Sequence, residues 1–210
     1  MVDIETELKK RTRFKQVWNR KQTNAYDDLT KFIYSTKSFD EVLAKVKSRF
    51  ANHPDIKDIG NYAVNRWFNF QSAQAVESIF RSHQAVSPAV HSKDRLCDFF
   101  IHGVPFDLKT TTFPKNVPFS IEQGKQHPEK LALWFYEHQS SEQRQHYANR
   151  LFIVLHKESN PAISWTLKAE LTWVQSLIKN YLDNFDAARL MTLSFREHTF
   201  QTDIIWGITN

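Results

Sequence analysis

The chain has 210 residues, a length that suits one domain with a helical extension. Hydrophobic residues make up 41% and aromatic residues 14%, which supplies enough apolar surface for a core and excludes a wholly disordered chain. A net charge of +5 fits a polyanionic partner such as DNA or RNA without requiring one. The single cysteine excludes an intrachain disulfide and a thiolate metal cluster, and only four glycines are present, which excludes a Gly-rich phosphate loop.

The sequence shows no recognisable signal for export or for a membrane. The N-terminal residues lack a basic segment followed by an apolar one, so we read no signal peptide. The longest apolar run, 131–136, is far too short to span a bilayer. We therefore expect a cytoplasmic protein without a membrane partner.

Residues 3 to about 50 predict helices. Ser38 and Glu41 stand at capping-box spacing, so a helix is expected to begin there. The apolar positions that follow predict one stripe: Val42, Leu43, Val46 and Phe50. His53-Pro54 breaks the pattern. We therefore predict an N-terminal helical region over 1–55, packed on a core domain over 56–210.

The core domain alternates helical and extended patterns. In chain order we predict a helix over 61–83, a strand over 85–90, a hairpin over 96–112, a helix over 128–148, a strand over 151–155, a helix over 166–185 and strands near 190–195 and 203–208. The continuous apolar run of 151–155 is typical of a strand buried on both faces. This order predicts an α/β (α+β) fold with a mixed sheet flanked by helices.

The hairpin carries the most informative residues. His102-Gly103 is typical of a two-residue turn, because both residue types accept positive φ. Counting outward from this turn predicts four opposed pairs: Ile101 with Val104, Phe100 with Pro105, Phe99 with Phe106, and Asp98 with Asp107. Two opposed carboxylates repel each other unless a cation lies between them. Mg²⁺ or Mn²⁺ would remove that conflict.

Lys109 lies two residues beyond Asp107 and is expected on the same face of the sheet. Two acids and one amine on one face suit phosphodiester hydrolysis, which needs an activated water and neutralisation of phosphoryl charge. The alternative is a surface salt-bridge cluster, in which Lys109 has two acidic partners and no metal binds.

This segment resembles the PD-(D/E)xK nuclease superfamily, whose pattern is an acid, a short hairpin and then acid–x–Lys. The resemblance implies that Asp98 and Asp107 hold the metal and that Lys109 orients the attacking water. It implies a restriction-endonuclease-like core of helix–three strands–helix–strand, and an endonuclease that cuts DNA with Mg²⁺ or Mn²⁺. The residue before Asp98 is Cys97 where the family pattern has Pro, a departure that is common in the family.

The family often adds a glutamate from the helix before the sheet, and Glu77 is the candidate. It shares a helix side with Phe70, Ala73 and Phe80, where an acid needs a partner or a metal. The backbone carbonyl of Leu108 is a further candidate metal ligand. The alternative for Glu77 is an ion pair with Arg81, four residues on.

Eight residues are candidates for contact with nucleic acid: Thr110, Thr111, Gln123, Lys125, Gln126, Lys10, Arg11 and Arg13. The two threonines follow the candidate site on the same strand, although strand propensity alone also explains them. The residues at 123–126 lie where related nucleases place substrate contacts. The N-terminal cations are interleaved with aromatics, and the alternative is a solvated helix face.

Two other functions stay open at this stage. One is a non-catalytic nucleic-acid-binding module with a nuclease-like fold, and the other is a hydrolase of small phosphate esters. DNA is preferred to RNA as the partner because most proteins of the resembled family act on DNA. Double-strand cutting often needs two active sites, so a homodimer is a further expectation.

Overall fold

A computed structural model describes residues 2–17, 23–89, 97–138, 148–195 and 197–210. The chain forms two compact units. The first comprises Met1–Ala75 with Lys168–Thr172, and the second comprises Val76–Leu167 with Trp173–Asn210. The boundary predicted at residue 55 falls between two helices, whereas the division between the units falls within one long helix.

The first unit is helical. Its elements are α1 (Ile4–Thr12), α2 (Asn24–Leu29), a 3₁₀ helix (Lys31–Ser35), α3 (Phe39–Phe50) and most of α4 (Ile56–Arg81). The Ser38 side chain accepts a hydrogen bond from the Glu41 N–H, so the predicted start of α3 is confirmed. Leu43 is 39% exposed and does not belong to the predicted apolar stripe, which the other three residues form. Among the described helices, none has both the length and the apolar character needed to cross a membrane.

The second unit contains a six-stranded sheet. Its elements are the end of α4, β1 (Val86–Pro88), β2 (Phe99–Ile101), β3 (Val104–Thr112), α5 (Ile121–Gln126), α6 (Pro128–His138), β4 (Arg150–Lys157), a 3₁₀ helix (Pro161–Ala169), α7 (Leu171–Asp183), a 3₁₀ turn (Ala187–Arg189), β5 (Met191–Phe195) and β6 (His198–Thr209). The helix predicted over 128–148 ends at His138, and residues 139–147 lie outside the described ranges, as does Val90 of the predicted first strand.

The strands are ordered β1-β2-β3-β4-β6-β5. Antiparallel pairing joins β1 to β2, β2 to β3 and β5 to β6, whereas β4 is parallel to both β3 and β6. The sheet is therefore mixed, and helices flank it, as the sequence predicts. The parallel pairing of β3 with β4 requires a long crossover, and α5 and α6 lie in that connection.

β4 is buried on both faces, as its continuous apolar run predicts. Phe152 stacks on Phe135 of α6 with ring centroids 4.7 Å apart, and it belongs to a core cluster with Val154. The intervening residues, Leu151 and Ile153, point to the opposite face and are also fully buried. β4 thus forms the rigid centre of the sheet, and β3 is paired along its edge.

Gly207 on β6 is a position where the packing tolerates no side chain. A Cβ atom there would lie 2.6 Å from Cδ2 of the fully buried Leu155 and 2.9 Å from Cη2 of the half-buried Trp173. We expect Gly207→Ala to lower the free energy of unfolding by about 1–3 kcal/mol, the range for an overpacked core. Urea unfolding measures this loss. Gly60→Ala is the control: among the described residues its Cβ would meet only Val46 Cγ1, at 3.3 Å, and alanine favours the helix. An equal loss there would contradict the packing explanation.

Candidate active site

The hairpin of β2 and β3 has the predicted turn and the predicted register near the turn. His102 and Gly103 have φ values of 46° and 86°, which are the left-handed conformations that a two-residue turn of this kind requires. Three opposed pairs are confirmed: Phe99 with Phe106, Phe100 with Pro105, and Ile101 with Val104. The turn therefore fixes the path of β3 toward the candidate acids.

The fourth predicted pair, Asp98 with Asp107, is wrong. The backbone ladder of the hairpin ends at the pair Phe99 with Phe106, and the Asp98 N–H donates to the Phe106 carbonyl at 2.8 Å. Asp98 instead uses its side chain to continue the pairing, since Oδ2 accepts the Leu108 N–H at 2.8 Å. This bond holds the Asp98 carboxylate beside Leu108, the residue that follows Asp107.

Asp98 and Asp107 remain electrostatic neighbours. Burial raises the pKa of the Asp98 carboxyl, and the negative charge of Asp107 raises it further. The hydrogen bond from the Leu108 N–H and the charge of Lys109 act in the opposite direction. A half-buried acid whose ionised form is disfavoured by a second acid is the electrostatic situation that a bound cation relieves.

Asp107 is buried and holds two cations. Its Oδ1 lies 2.7 Å from Lys109 Nζ, and its Oδ2 lies 2.9 Å from Arg150 Nε. The two partners differ in solvent exposure: the Lys109 side chain is 41% exposed, and the Arg150 side chain is only 7% exposed. Lys109 therefore extends toward solvent, whereas Arg150 fixes the carboxylate from inside the protein.

The sequence analysis did not identify Arg150, the first residue of β4. Parallel pairing places Arg150 opposite Asp107, which brings the two side chains to one face of the sheet. Its guanidinium lies over the Tyr136 ring of α6, 5.1 Å from the ring centroid. The sequence signal for Arg150 is a cation directly before a strand that is buried on both faces. This signal identifies Asp107 as the partner only when the β3–β4 register is known.

Glu77 forms an ion pair with Arg81, which is the alternative that the i,i+4 spacing predicted. Burial raises the pKa of the Glu77 carboxyl and the charge of Asp98 adds to the increase, while Arg81 lowers it. Arg81 also donates to the Asp98 backbone carbonyl at 3.3 Å. The same arginine therefore joins Glu77 to the segment that carries Asp98.

The donor set fits a two-carboxylate magnesium site better than a three-acid one. Among the described residues, no three His, Cys, Asp or Glu side chains form a group that could hold a metal. Ion pairs explain this, since Glu77 turns to Arg81 and Asp107 to its two cations. Mg²⁺ commonly uses one or two carboxylates and keeps several waters. The Leu108 N–H points to Asp98, so its carbonyl points to the same edge of β3.

The predicted contacts near the site have different environments. Thr110 and Thr111 are half-buried on β3, beyond Lys109. Gln123 forms a capping box with Ser120, because its Oε1 accepts the Ser120 N–H at 2.9 Å while its own N–H donates to the Ser120 hydroxyl. The Gln123 side chain therefore caps the N-terminus of α5, whereas Lys125 and Gln126 on that helix are exposed and free to contact a ligand.

The N-terminal cations belong to the first compact unit. Arg11 is only 1% exposed, and its guanidinium donates to Asn65 Oδ1 at 2.6 Å and to the Phe14 carbonyl at 2.8 Å. The expected phosphate contact by Arg11 is therefore wrong, because the charge is used inside the unit. Lys10 forms ion pairs with Glu7 and Asp40, and Arg13 is exposed.

No protein-family model, curated protein or solved structure matches this chain. The chemistry of the hairpin and its neighbours therefore carries the assignment of function.

Proposed function

We propose that this protein is a divalent-metal-dependent nuclease that hydrolyses DNA phosphodiester bonds, with a restriction-endonuclease-like core. The order α4, β1, β2, β3, α5–α6, β4 supports the proposal, because it agrees with the helix–three strands–helix–strand order of the resembled family. The single observation that carries the proposal is the pair of neighbouring carboxylates, Asp98 and Asp107, with Lys109 beside them. A location in the cytoplasm belongs to the same proposal.

Asp98 and Asp107 would hold Mg²⁺ or Mn²⁺, with the Leu108 carbonyl and Glu77 as further candidate ligands. When bound, the metal would activate a water and neutralise charge on the phosphoryl group. Arg150 keeps Asp107 in place through its bond to Oδ2. Lys109 Nζ donates to Asp107 Oδ1, and the same group would orient the attacking water and stabilise the negative charge that develops on the phosphate.

Cleavage of supercoiled plasmid tests the proposal. We expect the purified protein to nick plasmid in Mg²⁺ and to lose this activity in EDTA. Asp107→Asn should lower the rate about a hundredfold or more, since it removes a charged ligand while keeping the shape of the side chain. Asp28→Asn, an exposed acid in the first unit, is the matched control. Full activity of Asp107→Asn would contradict the assigned role.

A second candidate function is a non-catalytic nucleic-acid-binding module. It is favoured by the ion pairs of Asp107, both of whose oxygens already have a cationic partner. Mn²⁺ titration separates the two functions, because a bound metal raises the free energy of unfolding by about 2.7 kcal/mol at a hundred times its Kd. The nuclease predicts this rise in the wild type and its loss in Asp98→Asn, which keeps an oxygen for the Leu108 N–H. The binding module predicts no rise in either protein.

A further inference from the structure

The second unit contains a polar cavity that the proposed catalytic residues do not line. Its volume is about 390 Å³, within the range of small-molecule sites. It lies against the end of α7, the segment that follows and the middle of β6. Its lining includes the aromatic residues Tyr181 and Phe185 and the polar residues Asn184, Asp186, Arg189 and Asp203.

An aromatic wall connects this cavity to the hairpin. Phe185 contacts Tyr181 with ring centroids 5.8 Å apart, and it meets Phe106 of β3 edge to face at 6.3 Å. Phe185 also stacks with His102 of the turn, at 6.1 Å. Phe106 directly precedes Asp107 on β3, so the cavity adjoins the face of that strand opposite the Asp107 side chain.

Asp203 is a half-buried acceptor on β6. Its Oδ1 accepts the Ile204 N–H at 2.8 Å, and its Oδ2 accepts the Tyr181 hydroxyl at 3.0 Å. An ionised carboxylate has about four acceptor positions, so each oxygen can accept one more donor. Burial raises the pKa of this carboxyl, and the charge of Arg189 partly offsets that increase. A ligand that donates N–H groups would complete the coordination of Asp203.

Arg189 supplies an uncommitted cation beside the same cavity. Its side chain is exposed, and within the described ranges its guanidinium forms no hydrogen bond or ion pair. An exposed guanidinium suits a phosphate group, which it can bind through two parallel hydrogen bonds. The cavity therefore combines an aromatic surface, the carboxylates of Asp186 and Asp203 and the guanidinium of Arg189.

We propose that this cavity binds a nucleotide whose base carries an exocyclic amino group. The amino group donates to Asp203, the base stacks on the aromatic wall, and the phosphate pairs with Arg189. A carboxylate accepts from the amino group of cytosine, whereas thymine presents a carbonyl oxygen there and is disfavoured. Only the choice of a DNA strand as the source of the nucleotide rests on the proposed function.

Binding measured in EDTA tests this proposal independently of cleavage. The full chain is titrated with dCMP and dTMP by calorimetry, and with labelled oligodeoxycytidylate and oligothymidylate of equal length by fluorescence anisotropy. We expect about tenfold tighter binding of the cytosine ligand of each pair. A preference in both pairs supports the site with either source, and a preference in the oligonucleotides alone supports the strand as the source. Equal binding of cytosine and thymine ligands in both pairs overturns the proposal.

Two variants assign the contacts. Asp203→Asn keeps the size of the side chain but loses the charged acceptor, so the preference for cytosine should disappear, while Asp183→Asn, an exposed acid on α7 outside the cavity, should keep it. Arg189→Ala should weaken dCMP and dTMP by the same factor. If circular dichroism shows that Asp203→Asn does not fold, the test relies on Arg189→Ala, because an exposed side chain can be removed without unfolding the protein. Unchanged nucleotide affinity in Arg189→Ala overturns the proposal. If the wild-type protein prefers cytosine ligands but does not cleave plasmid, the proposed nuclease function is refuted and the nucleotide site is supported.

Discussion

Lys109→Met is expected to lower the rate of Mg²⁺-dependent plasmid cleavage by about 10²–10³-fold, the usual effect of removing one donor that stabilises developing charge. The methionine keeps the aliphatic part of the side chain and removes only the ammonium. Because Lys109 is expected to act on the transition state, kcat should fall while the affinity for plasmid changes little. Single-turnover cleavage together with a plasmid-binding measurement in Ca²⁺ checks both quantities.

The matched control is Lys179→Met. Lys179 is an exposed lysine on α7 that is paired with Asp183, four residues further on, and it lies outside the candidate site. This variant should cleave plasmid at the wild-type rate. A loss in Lys109→Met that appears only as weaker binding would show that the ammonium attracts DNA without taking part in the chemistry.

Arg150→Met should lower the free energy of unfolding by about 3 kcal/mol. The side chains of Arg150 and Asp107 are only 7% and 9% exposed, so removal of one partner leaves a charge in a poorly hydrated place. The expected loss is at the low end of the range for broken buried pairs, because Lys109 still neutralises the other oxygen of Asp107. Equilibrium unfolding in urea measures the loss.

A double-mutant cycle identifies the cause of that loss. In an Asp107→Asn background the carboxylate charge is absent, so Arg150→Met should cost less by about 1–3 kcal/mol. Lys109→Met is the comparison from the same carboxylate: its side chain is 41% exposed, and its removal should change stability by less than about 1 kcal/mol. An equal loss from Arg150→Met in both backgrounds would assign the effect to packing on Tyr136 instead.

Local patterns predicted the hairpin well. The turn at His102-Gly103 and the three pairs beside it follow from residue types that accept positive φ and from simple counting. The pairing of Asp98 could not be counted in the same way, because the backbone ladder ends at Phe99 and Phe106 and nothing in the local composition marks that end. The consequence was a wrong partner for Asp98, although its nearness to Asp107 persists through the side-chain bond to Leu108.

Contacts between distant segments were beyond the reach of the sequence. Arg150 meets Asp107 only because β4 pairs in parallel with β3 in one particular register, and 43 positions of chain separate them. Arg11 was misread for a related reason, since an arginine in a basic segment has the same local pattern whether it faces water or Asn65. Periodicity identifies elements, whereas the partners of charged side chains depend on how those elements are assembled.

The two cations on Asp107 have a consequence for folding of the protein without the proposed metal. Many small metal-binding domains stay unfolded until the ion binds, because metal binding supplies a large part of their folding free energy. Here Arg150 and Lys109 already supply positive charge to Asp107 on β3. Assembly of the domain is therefore uncoupled from metal supply, and chelation should silence the protein reversibly while its fold survives.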